Sequence, residues 1–88
     1  MNSNVDLANY LARLADVLAT TGEADLAENV RHARRFAVGS ASEFLHEARV
    51  ALANVHANAS HTLSPGQNDE VLNTIRQIDD AFKDVGGA

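Results

Sequence analysis

The chain has no cysteine. This excludes disulfides, a thiolate nucleophile and any zinc or iron–sulfur site built on sulfur. It also fits a cytoplasmic bacterial protein, because disulfides belong to oxidising compartments. Proline occurs once and glycine five times, against sixteen alanines, so little in the chain interrupts a helix and much favours one. No apolar run approaches the roughly 20 residues that cross a bilayer, and no membrane partner is expected. The start, Met1-Asn2-Ser3-Asn4-Val5-Asp6, lacks the basic and apolar regions of a signal peptide. Cations are scarce: seven Lys and Arg against twelve Asp and Glu leave a net charge of −5. That balance argues against nucleic acid as the main ligand, since binding there depends on many phosphate contacts.

What the chain has is one apolar spacing that recurs four times. Leu7, Leu11, Leu14 and Leu18 are separated by four, three and four residues. Leu26, Val30, Ala33 and Ala37 alternate in the same way, as do Leu45, Ala48, Leu52 and Val55. Val71, Ile75, Ile78, Phe82 and Val85 complete the series. At 3.6 residues per turn, each set lies on one side of an α-helix. The pattern predicts an all-α fold in which four helices bury their stripes against one another. The expected core is Leu7, Leu11, Leu14, Leu18, Leu26, Val30, Phe44, Leu45, Leu52, Val55, Val71, Ile75, Ile78 and Phe82.

Capping chemistry brackets each stripe. Ser3 with Asp6 suits the start of the first helix, and Gly22 suits a left-handed stop after it. Glu23 and Asp25 open the second, which closes with Arg34 and Arg35 near its negative end and Gly39 beyond. Ser40-Ala41-Ser42-Glu43 and Ser64-Pro65-Gly66-Gln67 both have capping-box spacing, the latter with proline where a missing N–H costs nothing. Gly86-Gly87-Ala88 ends the last helix. The expected helices lie near 4–20, 23–38, 41–59 and 65–85. Short connections between them imply an antiparallel up-down-up-down four-helix bundle. A three-helix core with one displaced helix is the alternative. Eighty-eight residues make a single domain, 1–88, exposing roughly 5,000 Å² of about 13,600 Å² when folded.

Catalytic patterns are missing. No Gly-x-Ser-x-Gly, phosphate loop or His-Glu-x-x-His occurs, and the serines cluster at helix caps. Asp69-Glu70 and Asp79-Asp80 read as solubilising charge. A bundle this small also has little room for a substrate pocket of several hundred Å³. Neither an enzyme, nor a cofactor, nor a small-molecule substrate is expected.

Glu43-x-x-His46 has the spacing of half a carboxylate-bridged di-metal site, but it occurs once and lies opposite Leu45, Ala48 and Leu52. His56 and His61 flank a helix end and offer at most a weak metal site. His61-Thr62-Leu63 resembles the His-x-Leu-Lys-Gly core of histidine phosphotransfer domains, themselves four-helix bundles. The resemblance implies a signalling role with His61 as phosphoacceptor. Ser64 and Pro65 stand where that family has lysine and glycine, and its histidine sits within a helix.

Two features point toward a protein partner. Arg31-His32-Ala33-Arg34-Arg35 gathers three of the seven cations, with Arg31 and Arg35 projecting away from the stripe. Such a cluster complements the helix dipole, pairs locally with Glu28, or meets an acidic protein surface. Surplus apolar surface is the other feature. Tyr10 and Val17 lie to one side of the leucine stripe, and Phe36 lies off its own. A helix–helix interaction module, self-associating as a homodimer through Tyr10, Val17, Phe36, Arg31 and Arg35, is the functional expectation. A thick core that absorbs Tyr10 and Val17 is the competing one.

Overall fold

Four α-helices and one short 3₁₀ turn account for almost all of residues 4–85, the part that the computed structural model describes. Helix α1 spans Asn4–Thr20, α2 Ala24–Arg34, α3 Ala41–Ala59 and α4 Pro65–Val85. Among the described residues there is no strand. Ser3, Gly86, Gly87, Ala88 and the side chain of Val85 lie outside the described residues, so the caps expected there are not in view.

The helix ends follow their capping residues. Gly22 takes φ 87°, the left-handed conformation that an L side chain resists. With it, the Glu23 N–H donates to the Leu18 carbonyl at 2.8 Å, and the hydroxyls of Thr20 and Thr21 donate to Val17 and Leu18. The Ser40 Oγ accepts from the Glu43 N–H at 3.5 Å, opening α3. At α4 the reciprocal pair forms completely: Ser64 Oγ accepts from the Gln67 N–H at 3.1 Å, and Gln67 Oε1 accepts from the Ser64 N–H at 2.8 Å. Asn68 then ties the connection down, its amide donating to the carbonyls of Ser60 and Leu63.

The second helix departs from expectation. It does not run regularly to residue 38; it ends at Arg34 and tightens into a 3₁₀ turn, Arg35–Val38, before Gly39. Three arginines crowd the last α-helical turn and its continuation, and no apolar residue in the tightened turn is fully buried. With little packing to hold it, the end of the helix takes the tighter geometry common at termini.

Leu7, Leu11, Leu18, Val30, Phe44, Leu52, Val55, Val71 and Ile78 are fully buried, and Leu14 and Leu45 nearly so. Leu26, Ile75 and Phe82, expected in the core, pack against its edge and stay half-buried. Alanines supply much of the rest: Ala15, Ala27, Ala33, Ala48, Ala51 and Ala59 are all buried. Small side chains let backbones approach, since interaxial distance follows the residues at the contact. In backbone contact α1 packs on α2, α2 on α3 and α3 on α4, whereas α1 and α4 barely meet.

Polar bonds span the seams. At the far end of α2, Arg34 Nε donates to the Ala8 carbonyl near the start of α1, at 3.0 Å. Between α3 and α4, Arg49 grips Asp79 through both oxygens, at 2.6 and 3.3 Å. This pairing holds the Asp79 carboxyl below its ordinary 3.8, with Lys83 adding a smaller pull. A depressed carboxyl stabilises the fold above its ordinary value and loses that contribution as pH falls through the lowered one. In Arg49→Gln the melting temperature should therefore drop slightly at neutral pH, and the gap to wild type should close below about pH 4. Phe44→Ala should cost about 3–5 kcal/mol in denaturant titrations, enough to unfold much of a domain this small.

Candidate functional site

The face expected to bind a partner through Tyr10 is part of the protein's own core. Tyr10 is only 6% exposed and joins Leu7, Leu11 and Leu14 in the central cluster. Position 10 sits beside the leucine stripe, and the neighbouring α4 covers that flank. The thick-core alternative thus accounts for Tyr10. Val17 is half-buried beside it, lining the edge of a small hollow with Gln67 and Glu70.

Tyr10 stands in the one seam that the backbones leave open. A groove of about 430 Å³ runs between α1 and α4, lined by Asp6, Asn9, Tyr10, Arg13, Glu70, Asn73, Thr74 and Gln77. The hollow at Val17 continues it with about 200 Å³ more. Such room was not expected of so small a bundle. Its physical origin is the seam itself, where a bulky ring and long polar side chains replace the alanines found elsewhere.

Inside this groove the Tyr10 hydroxyl is buried and makes no hydrogen bond of good geometry, although the Thr74 hydroxyl comes near enough to act on it. Burial pushes its pKa up to about 12, the Glu70 carboxylate adding to the rise, while Thr74 and Arg13 oppose it. The Thr74 hydroxyl gives its proton to the Glu70 carbonyl at 2.7 Å. Arg13 lies over the Tyr10 ring, its guanidinium carbon 6.0 Å from the centroid.

The arginine cluster divides by position. Arg31 bonds Glu28 at 2.9 Å and Asp16 at 3.4 Å, which raises its already high pKa. It is spoken for within the α1–α2 seam. Arg34 reaches Ala8, while Arg35 is exposed and its side chain makes no bond or ion pair among the described residues. Phe36 is half-buried, its ring meeting His32 edge-on at 5.4 Å. The five expected contact residues therefore do not form one patch: Tyr10 and Val17 face α4, whereas Arg31, Arg35 and Phe36 belong to α2 and its 3₁₀ end.

That end carries what the periodicity did not single out. Val38 is 97% exposed, and Val5, in the first turn of α1, is 67% exposed. The 3₁₀ turn contacts α1, and Arg34 ties the two together, so both valines belong to one end of the bundle. Glu43, in the first turn of α3, is exposed at the same end and bonds through its backbone only.

The histidine and carboxylate candidates remain apart. Glu43, His46, His56 and His61 are all exposed, and no group of three His, Asp or Glu positioned for a metal ion occurs among the described residues. His61 lies in the turn between α3 and α4 rather than within a helix. No helix among the described residues is long and apolar enough to cross a membrane. No family model, curated protein or solved structure matches this chain.

Tyr10 is the only tyrosine, so its titration is directly readable by ultraviolet absorbance. The tyrosinate signal should appear near pH 12. Because the folded state holds this proton longer than the unfolded chain, stability should fall as pH rises above about 10. Tyr10→Glu should unfold the protein, whereas Val38→Glu should leave its circular dichroism unchanged.

Proposed function

We propose that this protein is a helical interaction module that pairs with a second copy of itself through the end of the bundle built around the 3₁₀ turn. The observation that carries this reading is the near-complete exposure of Val38, with Val5 exposed at the same end. A branched apolar side chain held so fully in water gains from being covered. Arg34 and Arg35 stand next to it, and arginine is among the residues most enriched where interfaces hold their energy.

Charge favours a second copy as the occupant. A two-fold contact brings the same patch against itself, so the patch must complement itself. This end offers both signs: Arg35, whose side chain has no partner among the described residues, and Glu43, exposed at the start of α3. Two copies meeting valine to valine would let each Arg35 find the other copy's Glu43. Such pairing is reversible rather than obligate. The chain exposes 5069 Å², close to the roughly 5,000 Å² of a self-sufficient monomer of its mass.

Sedimentation equilibrium tests the proposal. Wild type should show a concentration-dependent dimer, and Val38→Asp should be a folded monomer with an unchanged melting temperature. Arg35→Glu and Glu43→Arg should each weaken the dimer, and the two reversals together should restore it. A wild type that stays monomeric at all concentrations, or a dimer untouched by Val38→Asp, would overturn it.

A further inference from the structure

The groove between α1 and α4 offers a second site, separate from the end surface. Three unsatisfied groups converge on it. The Tyr10 hydroxyl is buried and makes no hydrogen bond of good geometry, although such groups are nearly always paired. The Thr74 hydroxyl is near enough to act on it but gives its own proton to the Glu70 carbonyl. The Arg13 guanidinium is positioned over the Tyr10 ring and makes no ion pair among the described residues. Glu70, on the facing helix, makes none either, though both residues line the main groove and its extension. Opposite charges that face each other across a cleft without touching leave space for a group that satisfies both. Asn9, Asn73, Thr74 and Gln77 complete the main groove, together with a second carboxylate, Asp6, which already has an interaction of its own.

We propose that this groove binds a small zwitterion of the amino-acid type, its carboxylate on Arg13 and the Tyr10 hydroxyl and its ammonium on Glu70. A bare anion would meet Arg13 but would also face the Glu70 carboxylate. A bare amine would meet Glu70, with Asp6 already engaged elsewhere, but would also face the guanidinium. Only a molecule with both charges is attracted at each end, and guanidinium with carboxylate is the strongest of these pairings. The hydroxyl stays protonated at neutral pH and so has a proton to donate, which suits a carboxylate. It lies at the floor of the groove without exposed surface, so the ligand reaches it as α4 eases away from α1. That seam lacks the close backbone contact that locks the other three. The volume of about 430 Å³ lies in the range of small-molecule sites.

The test is a titration of the full chain with the common L-amino acids, and with acetate and methylamine as half-molecules, followed by amide chemical shifts. At least one amino acid should shift Arg13, Glu70 and Thr74 saturably and bind about tenfold or more tightly than either half-molecule, as expected for two charge-assisted contacts. Arg13→Gln and Glu70→Gln should each weaken binding about tenfold while leaving the fold intact, both side chains being on the surface. Tyr10→Phe separates a binding role from a structural one. It removes a buried hydroxyl that lacks a partner, so it should raise the melting temperature while weakening the amino acid. A lower melting temperature would mean that the hydroxyl is satisfied within the fold, by Thr74 or a trapped water, and would overturn its part in the site. Half-molecules that bind as well as the zwitterion, or no saturable shift at millimolar concentrations, would overturn the site itself.

Discussion

None of the four helices can stand alone in water; each persists because one side of it is buried by the others. A helix of 11 to 21 residues is marginal in isolation, since the first turn fixes several dihedrals for one hydrogen bond. Burial of the leucine, valine and phenylalanine stripes offsets that cost. It also dictates the connections, because helices sharing one core over so short a chain leave only a few residues for turning. Gly22, Ser40 and the Ser64–Gln67 pair sit at those turns, where free N–H and C=O groups would otherwise go unpaired. Caps and stripes agree on the same boundaries, a consistency that marks a sequence specifying one structure.

Within that scheme the seams are unequal. Buried alanines draw backbones together, and α1, α2, α3 and α4 make successive close contacts. Between α4 and α1 the sequence supplies Tyr10, Arg13, Glu70 and Thr74 instead. A tyrosine ring keeps two helices farther apart than a methyl group does, and its hydroxyl is then buried without a hydrogen bond of good geometry. The orphaned donor and the groove are two consequences of one substitution of size for closeness. An unpaired buried hydroxyl costs about 1–3 kcal/mol, a sizeable share of what a domain of this length has in reserve.

Most of this architecture was legible in the sequence because helices advertise themselves twice, in periodicity and in caps. The ranges 4–20, 41–59 and 65–85 emerge at their expected bounds. The stripe around Arg31–Val38 marked the right side of the helix, but nothing in its spacing distinguishes an α turn from a 3₁₀ turn. That distinction depends on how little the end is packed. Tyr10 shows the complementary limit. A residue some 60–80° from the stripe centre belongs to the core or to the surface according to which helix lies over it, and a single sequence does not record that. The exposure of Val38 is not written in the sequence for the same reason. Val38 lies off the stripe of Leu26, Val30, Ala33 and Ala37, seven positions after Arg31, and its spacing does not record what covers it at the end of the helix.

Arg31 and Arg35 illustrate how identical residues acquire different capacities. Four positions apart on a regular helix, they would share a face and similar surroundings. Here Arg31 lies within the regular part of α2, beside Asp16 and Glu28, and its charge is largely answered there. Arg35 falls at the first residue of the 3₁₀ turn, one position beyond the regular helix. In a 3₁₀ turn, with three residues instead of 3.6, side chains three positions apart eclipse, which brings Val38 into line with Arg35. A cation and an apolar side chain are thereby presented side by side without internal partners. On a chain carrying five surplus negative charges, an unanswered arginine beside an uncovered valine is a local inversion of the surface around it. Recognition by the rest of the molecule is weakest there, and recognition by something else has the most to gain.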